Sequence, residues 1–150
     1  MMTTLLLGTA LAAEGYNQQV ETSTTVTWHP ALLLSGALTV GTEFRVPGSD
    51  LSASFLAGPY AWDGAVGGMS IFQLRRYVVG DFDRGLYFGG HVGGSLAADE
   101  YYWYYTAILA GVTGGKWVWD SGFTIDQNFG VGVNLAGVTS FLSLGLGWSW

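Results

Sequence analysis

Residues able to do chemistry are few in this chain. Lys and Arg number 5, Asp and Glu 11 and His 2, and Cys is absent, which excludes a disulfide framework, a cysteine zinc site and thiol chemistry. His91 is the best catalytic candidate, because nucleophilic hydrolysis needs a hydroxyl beside an imidazole and an acid to orient it. Ser95 shares the face of His91 in an extended strand, yet the chain between them spans about 13 Å, too far for a hydrogen bond. His91 therefore reads as a structural histidine among glycines, and His29, beside Pro30, as a loop residue. No carboxylate pair, metal-ligand cluster or phosphate loop stands out, and the glycines do not form G-x-G-x-x-G before a helix. The expectation is no catalytic residue, no metal and no cofactor.

What remains is a set of charges in otherwise apolar or glycine-rich segments: Glu43, Arg45, Arg75, Arg76, Lys116 and Asp126. Their meaning depends on the elements that carry them. Only 11% of the 150 residues are charged, against roughly 25% in an ordinary soluble domain. Apolar residues make up 49% and aromatics 15%, which argues against disorder. With 24 Gly and 3 Pro, a mainly helical chain is excluded as well. A net charge of −6 without a basic cluster excludes a nucleic-acid partner.

Two uncharged stretches, 22–42 and 127–150, are long enough to span a membrane as helices, but their Gly, Ser, Thr, Asn and Pro content is wrong for that. Period decides between the alternatives. Over 141–150, Leu142, Leu144, Leu146, Trp148 and Trp150 alternate with Phe141, Ser143, Gly145, Gly147 and Ser149, which is strand spacing. Segments 37–46, 85–96 and 122–133 alternate in the same way. The chain predicts eight strands over 22–29, 36–46, 51–61, 67–79, 85–97, 102–118, 122–133 and 141–150, joined by turn-like Pro, Gly, Asp and Ser clusters. At Gly114-Gly115 the alternation slips, which marks a candidate bulge. Residues 31–34 are too apolar for a free loop, so either the first strand continues past Pro30 or this loop packs on something.

A soluble sandwich or lipocalin-like barrel would carry charges on its second face, whereas here that face is mostly Gly, Ser and Thr. Turning the apolar face to lipid and the small polar face to a narrow lumen accounts for both. The aromatics support this inversion. With the N-terminus at the inner side, Trp28, Tyr60, Trp62 and the run Tyr101–Tyr105 fall at the outer rim. Tyr77, Tyr87, Phe88, Trp117, Trp119, Trp148 and Trp150 fall at the inner rim. Leu38, Val40, Leu74, Val92, Ile108, Ala110, Leu142 and Leu144 fill the belt between. Tyr102 and Tyr104 are taken as girdle members within their run. Two such girdles are what a bilayer selects. Residues 1–13, MMTTLLLGTALAA, read as a clipped signal peptide without its basic start, leaving 14–150 as the barrel. Connections on both sides are short, the outer ones slightly longer.

These features resemble the small eight-stranded outer-membrane barrels of Gram-negative bacteria, the OmpA transmembrane-domain type. The carriers are Trp150 with Trp148, Leu146 and Leu144 behind it, together with Arg75-Arg76-Tyr77, Gly85-Leu86-Tyr87-Phe88-Gly89 and the segment 116–123. Trp148 and Trp150 resemble the C-terminal signal read by the barrel assembly machinery, although that signal more often ends in Phe. The resemblance covers 22–150 and implies an all-β, antiparallel up-and-down barrel, monomeric in the bacterial outer membrane, with outer-membrane lipids and the assembly machinery as partners. It carries little about activity, since the fold hosts anchors, pores, adhesins and enzymes. Lipid-A-modifying hydrolases occur among such barrels, and the His-x-Ser spacing sought for them is absent here.

On this architecture Glu43, Arg45, Arg75 and Asp126 face the lumen, and Lys116 joins them if the alternation holds through Gly114-Gly115. Arg75 is chosen over Arg76 because it is in phase with Gln73 and Tyr77. Buried charges must be paired, so the expected role is structural or surface-related, without catalysis, around a plugged lumen. A passive pore for ions or small polar solutes is the alternative, and a lipid-A-modifying enzyme the third reading.

Overall fold

A computed structural model describes residues 22–150; the expected signal peptide, 1–13, and the first residues of the expected barrel segment, 14–21, lie outside them. The strands are β1 (Thr24–Trp28), β2 (Val40–Arg45), β3 (Leu51–Trp62), β4 (Ala65–Gly80), β5 (Arg84–Ala98), β6 (Trp103–Val118), β7 (Phe123–Asn134) and β8 (Gly137–Ser149). Each pairs antiparallel with the next, and β8 returns to β1, so the sheet is a closed eight-stranded up-and-down barrel. Closure removes the unpaired strand edges that an open sheet leaves. Trp150 completes the seam through its backbone: its carbonyl accepts from Ser23 and Thr24, and its N–H donates to the Thr24 carbonyl.

Every expected strand segment contains a strand, and the differences lie at the joints. Residues 30–35 form a 3-10 helix that packs on β8, so the apolar loop is neither free nor an extension of β1. Gly36 ends that helix at φ 79°, which delays β2 to Val40. Asp63 and Gly64 both have positive φ, 49° and 84°, the geometry that closes a two-residue hairpin between right-twisted strands. The β7–β8 joint is equally tight, Leu135-Ala136, so those two outer connections are no longer than the inner ones. Register runs unbroken through Gly114 and Gly115. The irregularity falls instead between Tyr77 and Val79, turning Val78 and Val79 both outward.

Alternation is strict in most strands, and its polarity is inverted relative to a soluble domain. Among the described residues, the buried set is dominated by Thr, Ser, His, Gln, Asn and charged groups, while Phe44, Phe55, Leu74, Phe88, Leu109 and Leu142 are exposed. Ile108 and Ala110 correct the expectation that they join the outer belt. They point inward, with Leu109 outward at 63% exposure.

Glycine sets how closely the strands approach around the interior. A Cβ on Gly89 would lie 2.0 Å from the Leu74 carbonyl oxygen, beside Arg75, whereas one on the neighbouring Gly90 would meet nothing within 4 Å. Gly89→Ala should therefore lower stability by about 1–3 kcal/mol, the usual overpacking cost, and Gly90→Ala should leave it unchanged. Denaturant unfolding of both variants checks this; equal effects would contradict the close approach.

Candidate functional site

The interior divides into two regions along the barrel axis. Toward the chain termini it is filled by charge. Arg75 Nη1 lies 2.9 Å from Asp126 Oδ2 and 3.3 Å from Glu43 Oε2, and Lys116 Nζ lies 3.1 Å from the same Glu43 oxygen. The four residues come from β4, β7, β2 and β6, so the pairs reach across the lumen rather than along one ladder. Two carboxylates and two cations cancel formally. With Arg75 1% and Lys116 0% exposed, water cannot solvate them, and pairing is what makes their burial tolerable.

Neutral groups take up the remaining valences. Tyr77 donates its hydroxyl to Glu43 at 3.0 Å and Tyr87 donates to Asp126 at 2.7 Å. Ser52 donates to Glu43, and Lys116 donates to Thr25 Oγ1 at 2.6 Å. Arg75 Nε and Nη2 both donate to Gln73 Oε1, at 2.9 and 2.8 Å. Its guanidinium carbon lies 4.5 Å from the Tyr87 ring centroid, and Lys116 Nζ lies 3.4 Å from that of Phe82. Tyr77, Phe82 and Tyr87 form one buried aromatic cluster. Tyr77 and Tyr87 lie toward the end of the barrel expected of them, and the alternation that turns Arg75 inward turns both inward with it, so neither stands on the outer surface.

Arg45 departs from the expected network. It is in the inward phase, but it ends β2 at the rim, is only half-buried and forms no ion pair among the described residues. Arg76 points outward.

The expected girdle residues also separate. Trp28, Trp119 and Trp148 are exposed on the outer face. Trp117 lies half-buried in the same phase. Trp62 and Trp150 are exposed at chain positions ending β3 and following β8. Tyr60 instead lines the interior. Tyr102 is exposed in the loop before β6. Tyr104, in phase with the inward Ile108 and Ala110, donates its hydroxyl to Asp99 at 2.7 Å. Within that run, Trp103 and Tyr105 are the outward residues, each 74% exposed.

Away from the termini the interior opens into a cavity of about 210 Å³. Its apolar wall includes Leu32 of the 3-10 helix, Leu56, Met69, Ile71, Ile108 and Phe141. Polar groups enter from His91, Asn128 and Ser143. His29 is not a loop residue: it is buried, with Nε2 2.9 Å from Thr27 Oγ1 and Nδ1 2.8 Å from Ser143 Oγ. Its alternation with Thr25 and Thr27 is the signal that would have placed it inside. The pair brings an imidazole to a hydroxyl, but both ring nitrogens are engaged by hydroxyls, and among the described residues no acid is hydrogen-bonded to the ring. Among the described residues, no group of three His, Asp or Glu side chains gathers as a metal site.

Fold and interior together define an eight-stranded antiparallel β-barrel with a charge-filled, polar lumen. Comparison of the chain with protein-family models, curated proteins and solved structures gives no match.

Two predictions follow from these contacts. Arg75→Leu leaves two buried carboxylates facing one lysine and should cost about 3–5 kcal/mol, while Arg45→Ala should stay within about 0.5 kcal/mol; unfolding in denaturant measures both. Asp99, in the β5–β6 loop, is held below the usual carboxylate range first by the Tyr104 hydroxyl and then by the N–H groups of Tyr101 and Tyr102. A lowered acid pKa favours the folded loop above the ordinary Asp range and loses that effect as pH falls through the lowered value. Tyr104→Phe should raise the Asp99 titration midpoint, read by NMR; an unchanged midpoint would exclude that hydroxyl as the main cause.

Proposed function

We propose that the chain is an integral protein of the bacterial outer membrane, a monomeric barrel with a structural or surface role and a plugged lumen. The observation that carries this reading is the inversion of the barrel. Large apolar side chains cover the outside while charged and hydroxyl side chains fill the inside. Each large apolar side chain fully removed from water gains about 1.5–3 kcal/mol, and a belt of them around a closed barrel is matched by hydrocarbon. Outward tryptophans at both ends of the strands, Trp28 at one and Trp119 and Trp148 at the other, fit the headgroup levels. Arg76 lies toward the terminal end, where an outward arginine costs about 0–1 kcal/mol rather than the ~2–4 expected at midplane.

Plug is favoured over pore because Glu43, Arg75, Lys116 and Asp126 span the lumen and bind one another directly. The proposed role is structural or surface-related, without catalysis. Outer-membrane lipids and the barrel assembly machinery are the proposed partners.

Heat-modifiable migration on a denaturing gel together with outer-membrane fractionation is expected, and a monomer soluble in plain buffer would refute the membrane reading. In planar bilayers the wild type should conduct little or not at all. Glu43→Ala should raise conductance and Arg45→Ala should not; steady conductance by the wild type would favour the pore.

A further inference from the structure

The cavity beyond the plug holds polar groups that the chain does not satisfy. Gln73 Oε1 accepts from both Nε and Nη2 of Arg75, so its amide nitrogen is turned to His91. That nitrogen lies 3.1 Å from His91 Nδ1 and can only donate. Nδ1 is therefore an acceptor, and the imidazole proton sits on Nε2. Arg75, the centre of the plug, thus sets the tautomer of a histidine in the cavity wall. His91 is 3% exposed and its Nε2 has no partner; Asn128, equally buried in the same wall, has an unpartnered Oδ1. A buried group left unpaired costs about 1–3 kcal/mol. The neighbour that shields His91 is Phe141, whose ring centroid lies 4.7 Å from that of the imidazole. This phenyl ring occupies space left by Gly130, where a Cβ would meet it at 2.2 Å. Phe141 also borders the cavity, so a shift of this ring toward the open space would uncover His91.

We propose that this cavity is a binding site for a small, largely apolar molecule carrying one hydroxyl, of the phenol or medium-chain alcohol class. The hydroxyl oxygen accepts from His91 Nε2–H, its hydrogen goes to Asn128 Oδ1, and the apolar body lies against Leu56, Met69, Ile71 and Ile108. Phe141 turns aside to admit the oxygen. An apolar cavity of about 150 Å³ holds benzene, so the larger space here suits roughly eight to ten non-hydrogen atoms. An anion is disfavoured, because Asn128 presents an acceptor and the nearby cations are already paired. The site goes beyond the proposed membrane role and needs no bilayer around it.

The test uses 4-fluorophenol as probe and fluorobenzene as its hydroxyl-free control, with the barrel folded in lipid nanodiscs, or in buffer if it proves soluble. Fluorine NMR should show saturable 4-fluorophenol binding, about tenfold tighter than fluorobenzene. The nitrogen signals of His91 Nε2 and of the Asn128 side-chain amide should shift together on saturation. His91→Leu should reduce the preference for the hydroxyl, and Ser95→Leu, which fills the cavity without touching either hydrogen-bonding group, should abolish binding. Uptake that never saturates, equal affinity for both probes, or binding retained by both variants would overturn the proposal. If a variant fails to fold, the wild-type His91 signal decides: unmoved at saturating 4-fluorophenol, it sinks the site.

Discussion

The arrangement of the lumen depends on Arg75, a fully buried cation that must find its partners inside the barrel. Its guanidinium pairs with Asp126 and Glu43, donates twice to Gln73 and lies over the Tyr87 ring. A planar group with a fixed fork of donors can meet partners in several directions without losing its geometry. Lys116 supplies the second positive charge and carries the network to Thr25 on β1. The result ties β1, β2, β4, β6 and β7 through side chains as well as through the ladder. Buried ion pairs of this kind gain little over well-packed apolar groups, but removing one partner leaves the other charge buried and uncompensated.

That ring constrains everything else. An eight-stranded barrel is just wide enough for side chains to fill, so each bulky inward residue needs small ones near it. Gly89 beside Arg75, and Gly130 beneath Phe141, are two places where the absence of a Cβ makes room for strand or ring. The interior holds a few large apolar residues, among them Phe82, Leu56, Ile71 and Phe141, while most of the others occupy the outer face. The packing limit accounts for the small residues set beside the bulky inward ones.

The interior is not uniform along its axis. Charge, tyrosines and Phe82 fill the end near the termini, while the other end is wider, lined by Leu56, Ile71 and Ile108 and bordered by Leu32. Gln73 joins the two, accepting from Arg75 and donating to His91. The chemistry of the open half is in this way set by the filled half.

Alternation made the eight strands and the inward direction of Glu43, Arg75 and Asp126 legible in the sequence, because a period of two is a local property of the chain. Asp63-Gly64 was legible as a turn for the same reason: its backbone preference needs no distant partner. Lys116 stayed open, since a doubled glycine hides the side-chain period although the backbone ladder continues through it. The inward positions of Tyr60, Ile108 and His29 differ from the rim, belt and loop that their residue types suggest. At these positions phase outweighs residue type, because closure of the barrel fixes which side of each strand faces inward. By itself the sequence determined strands, turns and a two-faced pattern, all set by neighbours in the chain. Only the tertiary structure decided which charges meet, that Arg45 stays apart, and that a cavity remains beyond the charged cluster. Those outcomes depend on the register across β-strands distant in sequence and on how much volume the closed ring leaves at each height.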